Sequence, residues 1–103
     1  EEPNMHIIWT REALNRLAEI EEYIAKDSQQ RAINFVNYLV DQGETLKDHP
    51  KIGRVVPEVG NENIRELIAK KYRIIYRVTE ERVEILTVFE GHRLFRLEEL
   101  GTN

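Results

Sequence analysis

A chain of 103 residues has room for one hydrophobic core, and 41% hydrophobic with 33% charged residues is the composition of a folded soluble domain. With no cysteine, disulfides, thiolate metal sites and thiol nucleophiles are excluded. No apolar run approaches the ~20 residues that span a bilayer, and no signal-like core opens the chain, so a cytoplasmic protein is expected.

Residues 1–4 read as an added or frayed leader, and a single domain is expected over residues 5–97. Met5 to Trp9 is a short β-prone run. Thr10 can cap a helix, and Ala13, Leu14, Leu17, Ile20, Tyr23 and Ile24 follow at spacings of three and four, one apolar stripe. Asp27-Ser28 ends that helix and caps a second. Ala32, Ile33, Phe35, Val36, Leu39, Val40 and Leu46 carry the helical period to about His49, where Pro50 stops it. A connection this short makes the helices antiparallel neighbours. Gly43 weakens the second helix near its end by about 1 kcal/mol relative to alanine.

Residues 50–63, punctuated by Pro50, Gly53, Pro57 and Gly60, form a loop. Three strand-like runs follow: 64–69, 72–79 and 83–89, with Glu80-Glu81 as a tight turn. In the middle run, Tyr72, Ile74, Tyr76 and Val78 face one way, and Arg73, Ile75 and Arg77 the other. Arg93 to Leu100 forms a short helix or a mobile end, with 98–103 as a tail. The fold class is therefore α+β: an N-terminal strand and an antiparallel helix hairpin packed on a small antiparallel sheet of three to four strands. The hairpin covers the apolar face of the central strand, and the other face is left to solvent or a partner.

The net charge of −4 speaks against a polyanionic target only as an average. Residues 1–50 hold five Lys/Arg against ten acids, whereas residues 51–79 hold seven against three. An acidic helix hairpin thus stands beside a basic sheet.

Metal ligation is not expected, because His6, His49 and His92 lack the spacing that would put two imidazoles on one face. Ser28 reads as a helix cap, no phosphate-binding glycine loop occurs, and adjacent carboxylates such as Glu80-Glu81 diverge as solvated charges. The arginines are the informative group. Arg73 and Arg77 share a strand face, Arg65 lies on the neighbouring strand, and Arg93 follows the last strand across a Gly91 turn. Clustered guanidinium groups suit phosphate or carboxylate recognition. The alternative is a mixed face, with Arg73 and Arg77 paired to cross-strand Glu66 or Glu84.

At Gly53-Arg54-Val55-Val56-Pro57-Glu58, Ile64-Arg65-Glu66-Leu67, Tyr72-Arg73-Ile74-Ile75-Tyr76-Arg77-Val78 and Val83-Glu84-Ile85-Leu86-Thr87-Val88, the chain resembles the RelE/ParE superfamily. Its members are toxins of type II toxin–antitoxin modules, often labelled plasmid stabilisation proteins. The resemblance implies a helix hairpin on a small sheet, no cofactor, no metal, and a cognate protein antitoxin as partner. RelE-type members cut mRNA in the ribosome, using basic residues to stabilise charge on the scissile phosphate. In that branch Arg73 and Arg93 would be the catalytic residues. The lysines of that branch are absent from the segment Ile64-Arg65-Glu66-Leu67, and its terminal tyrosine position falls near Glu98-Glu99. ParE-type members inhibit DNA gyrase, and the Arg-Glu-Leu strand followed by Tyr-Arg-Ile-Ile-Tyr looks more like that branch. Glu90 stands where many members carry a histidine, and can pair with Arg73 or Arg93.

The expectation is a ParE-like gyrase inhibitor, with Arg65, Arg73, Arg77, Glu90, His92 and Arg93 forming the surface for target or antitoxin. Operator DNA would be reached only through the antitoxin, and no membrane is involved. The alternatives are a ribosome-dependent mRNA endonuclease without metal and a non-toxic member that only binds antitoxin.

Overall fold

The computed structural model describes residues 5–91. The leader 1–4, His92, Arg93, the expected helix or end at 93–100 and the tail 98–103 lie outside the described residues. The order is β1 (His6–Trp9), α1 (Arg11–Ala25), α2 (Gln29–Glu44), a 3₁₀ turn (Thr45–Lys47), β2 (Arg54–Val55), β3 (Ile64–Ala69), β4 (Tyr72–Val78) and β5 (Arg82–Glu90). The strands form one sheet in the order β1-β5-β4-β3-β2.

Each helix starts at the cap its sequence supplies. The Thr10 hydroxyl accepts from the Ala13 N–H at 3.1 Å, and Ser28 does the same for Arg31 at 3.2 Å. The hairpin then buries Ala13, Leu17 and Ile20 of α1 with Leu39 of α2 against Ile74, Tyr76, Val83, Ile85 and Val88 of the sheet. Each large aliphatic side chain so buried contributes about 1.5–3 kcal/mol.

The expected sheet of three to four antiparallel strands is a five-stranded mixed sheet. Residues 54–55 add β2, antiparallel to β3, and β1 pairs with β5 in parallel. A parallel edge arises because α1 carries the chain away from β1 and the pairing partner lies at the far end of the sequence. Regular α-helix also ends at Glu44 rather than near His49. The following 3₁₀ turn still delivers Leu46 to the core, which is why the apolar period runs past the helix end.

Gly43 owes its place to packing. A Cβ there would lie 2.6 Å from Cζ2 of Trp9, so the β1 indole seats directly on α2. Between β4 and β5 the register shifts at Ile75/Tyr76, leaving Leu86 as the extra residue of a bulge. The Thr10 hydroxyl donates to the Ile85 carbonyl at 2.8 Å, tying the α1 cap to that bulge.

The face of the sheet opposite the helices is closed rather than left to solvent. Val56, Ile64, Ile75, Leu86 and Phe89 form a second buried cluster there, with Val59 packed against it. The loop after β2 supplies that cover, so the central strand is buried from Arg73 to Tyr76 on both sides.

Candidate functional site: the arginine face of the sheet

Period-two alternation puts Glu66 of β3 and Arg73, Ile75 and Arg77 of β4 on the face away from the helices. In register, Glu66 stands between Arg54 of β2 and Ile75 of β4. Its side chain is completely buried, and an unpaired carboxylate in that position would be untenable. Arg54 Nε donates to Glu66 Oε2 from one side. From the other, Arg73 Nε donates to Oε1 at 2.6 Å. Arg73 in turn spans to Glu58 in the loop, with Nη1 3.2 Å from Oε2 and Nη2 3.0 Å from Oε1, a bidentate fork. The Arg73 guanidinium also lies 5.3 Å from the centroid of the Phe89 ring, its cross-strand neighbour.

The electrostatics follow from this lattice. Burial alone would lower the Arg73 pKa, but the hydrogen bonds to Glu58 and Glu66 outweigh it and hold the guanidinium firmly protonated. Hydrogen bonding from Arg73 brings the Glu58 carboxyl below its ordinary range, against a smaller opposing effect of burial. An anion approaching Arg73 from the loop side would therefore have to displace Glu58, which stays ionised at neutral pH.

Arg77 and Arg65 have different surroundings. Arg77 Nε is 3.6 Å from Glu84 Oε1, an ion pair across β4 and β5 without a hydrogen bond. The same Glu84 accepts from Arg82 Nε at 3.0 Å. The cross-strand pairings Arg73–Glu66 and Arg77–Glu84 are those the sequence offered as the alternative to an open cationic cluster. Arg65 stands opposite Tyr76 and Val55, and its Nη1 donates to the Gly53 carbonyl at 2.8 Å. The Gly53 N–H donates to the buried Tyr76 hydroxyl at 3.0 Å. A Cβ on Gly53 would lie 2.4 Å from the Glu66 carbonyl oxygen, so only glycine lets this loop approach the sheet so closely. Burial raises the Tyr76 pKa, although the Gly53 N–H and the charge of Arg65 act the other way, and the phenol stays neutral.

Glu90 closes β5 opposite Tyr72 and so stands on the helix-side face, beside Glu19 and Ile20 of α1 rather than with Arg73, while His92 and Arg93 lie outside the described residues. The structure thus brings Arg73 and Glu66 together and sets Arg77 four residues further along the same strand face. It places Arg65 on the helix-side face, at the β2 edge. Sequence reasoning missed Arg54 and Glu58 as members of the lattice. Both lie within the Gly53–Glu58 segment, but which carboxylate reaches which arginine depends on how a loop folds over a sheet. Among the described residues no group of His, Asp or Glu is placed to hold a metal ion, and no helix is long and apolar enough to cross a membrane.

Residues 7–95 match the family model described as ParE toxin of type II toxin-antitoxin system, parDE. A curated relative from Sinorhizobium fredii (strain NBRC 101917 / NGR234), named "Putative toxin Y4kP", is 38% identical over 90 residues, covering 84% of this chain and 88% of that one. Among solved structures, one titled "Chromosomal ParDE TA system from P. aeruginosa" superposes with a TM-score of 0.72 at 23% identity. It covers 84% of this chain and 96% of the other, a likeness of fold.

Proposed function

The chain belongs to the ParE toxin family of type II toxin–antitoxin systems, and from that premise we propose that it arrests growth by binding and inhibiting DNA gyrase in the cytoplasm, neutralised by a cognate antitoxin. The observation that carries this reading is the commitment of Arg73 to Glu58 and Glu66. An RNA-cutting site aims its cations at a scissile phosphate and keeps a base poised near neutrality. Here the guanidinium is held by two carboxylates, and the outer one stays ionised well below neutral pH. A rigid lattice of this kind suits recognition of a protein surface, where fixed charges set register and partner choice. In this reading Arg73 holds the platform, while Arg65, Arg77, Glu90, His92 and Arg93 supply contacts to gyrase or to the antitoxin. Operator DNA is reached only through the antitoxin.

The test is induction of the chain alone in bacteria, followed by DNA supercoiling and mRNA primer-extension assays on the same culture. Loss of supercoiling with intact messages is expected. Cleaved messages with normal supercoiling would replace this reading with ribosome-dependent cleavage. Growth without arrest would leave a member that only binds antitoxin.

A further inference from the structure

Away from the arginine face, a depression of about 330 Å³ opens where the hairpin meets the β3–β4 turn. Ile24 from the last turn of α1 and Phe35 and Tyr38 of α2 form its apolar floor, all half-buried. The Phe35 and Tyr38 ring centroids are 5.8 Å apart, and Phe35 is backed by Tyr72 at 5.4 Å, so the floor is braced by the sheet. The depression continues past Ile24 and Arg31 toward Lys26 and Tyr23, the latter 72% exposed. Its length suits several residues of a chain rather than a single small ion.

The rim is cationic. Arg31 stands at one end, and among the described residues its guanidinium pairs with Asp27 alone, at 2.7 Å, with both side chains largely exposed. Such a pair exchanges readily for another carboxylate. Lys70 stands at the other end, its ammonium 4.9 Å from the centroid of the Tyr38 ring. Among the described residues it meets that ring and no carboxylate.

Lys70 also occupies a backbone position that disfavours lysine. Its φ is +56°, in the left-handed region, at the first residue of the two-residue turn joining Ala69 to Tyr72. Glycine or asparagine adopts that conformation at lower cost, and turns of this kind select for them. A residue that opposes its local backbone preference is an outlier from which function is inferred. Here the side chain places a positive charge over an aromatic floor.

We propose that this depression is the anchor site for an acidic segment of the antitoxin. An apolar or aromatic side chain of the segment rests on Phe35 and Tyr38, and a neighbouring carboxylate pairs with Lys70 and draws Arg31 from Asp27. The assignment rests on the reading that a protein antitoxin neutralises the chain, and adds where and by what chemistry it is held. The floor could also stack a nucleobase, but three separated cations, Lys26, Arg31 and Lys70, with Asp27 among them offer little to a phosphate backbone.

The experiment uses the full chain and the antitoxin encoded beside it, with affinities measured for wild type, Lys70→Asn, Arg31→Gln and Lys71→Asn. Lys70→Asn removes the charge while suiting the turn better, so its thermal midpoint should rise by ~2 °C or more. Its Kd should nevertheless weaken about tenfold and lose part of its salt dependence. Arg31→Gln should weaken binding about threefold, and Lys71→Asn less than about twofold. Wild-type affinity in Lys70→Asn would overturn the anchor site and leave the antitoxin reading standing. Absence of any complex with wild type would overturn both. Binding of a single-stranded 12-nucleotide probe that is lost in Lys70→Asn would reassign the depression to nucleic acid.

Discussion

On the helix side of the sheet, Leu17, Ile20, Leu39 and Ile74 exclude water by fit and area. On the other side a completely buried carboxylate, Glu66, is held between two arginines within an apolar frame of Ile64, Ile75 and Phe89. The first face tolerates conservative apolar exchange, because burial is non-directional. The second does not, because removing one member takes a directional, charged partner from buried Arg73 or Glu66. Geometry is therefore specified more tightly on the far face, although the near face covers more of the sheet. A surface that must present charges in fixed register gains from being built this way.

The largest expected effect comes from breaking the lattice at its centre. Glu66→Ala takes from the buried Arg73 one of its two carboxylates, leaving Glu58, and should cost about 3 kcal/mol, read as a lowered urea midpoint at pH 7. A loss below about 1 kcal/mol would show that the apolar frame alone closes that face and would dissolve the contrast. Next comes Gly43→Ala on the helix side, where the new methyl meets the Trp9 ring. Overpacking of this kind should cost about 1–3 kcal/mol. The clash is steric, and because the same ring donates its indole N–H to Glu44 Oε2 at 3.3 Å, the loss is read at pH 7, against the Glu66→Ala loss at the same pH. A loss larger than that of Glu66→Ala would reverse the contrast between the two faces.

The helix hairpin was legible because its stripe repeats at three and four residues and both caps are local. Three strands were legible from alternation bounded by Pro, Gly and Asn. The strand at Arg54–Val55 was not, since two residues carry no period. The direction of β1 was not either, because nothing near Met5–Trp9 encodes a partner some 75 residues away. Gly43 looked like a weakness in a helix until Trp9 was seen seated on it. For the candidate site, the strand register brought Arg73 and Glu66 within view of each other. The part played by Glu58 depends on a loop whose path only the folded chain defines. Lys70 escaped notice because a lysine in a turn signals nothing until its φ and the aromatic floor beneath it are known.

The smallest effect sharpens the comparison most, because it belongs to the ion-paired face alone. Hydrogen bonding from Arg73 holds the Glu58 carboxyl below the ordinary glutamate value of about 4.3. A folded-state pKa lower than the unfolded one means that the unfolded chain binds the proton more readily. The stability contributed by this group is therefore fully present above the unfolded value and lost as pH falls through the folded one. Glu58→Gln keeps the shape of the side chain and abolishes the titration. At pH 7 the variant should be slightly less stable than wild type, by under about 1 kcal/mol for a partly exposed pair. The difference should shrink as the medium is taken from about pH 5 toward pH 3. Chemical denaturation of both proteins across that range measures it directly. Parallel stability curves would show that Glu58 covers the arginine without being held by it, leaving Glu66 as the carboxylate that fixes Arg73.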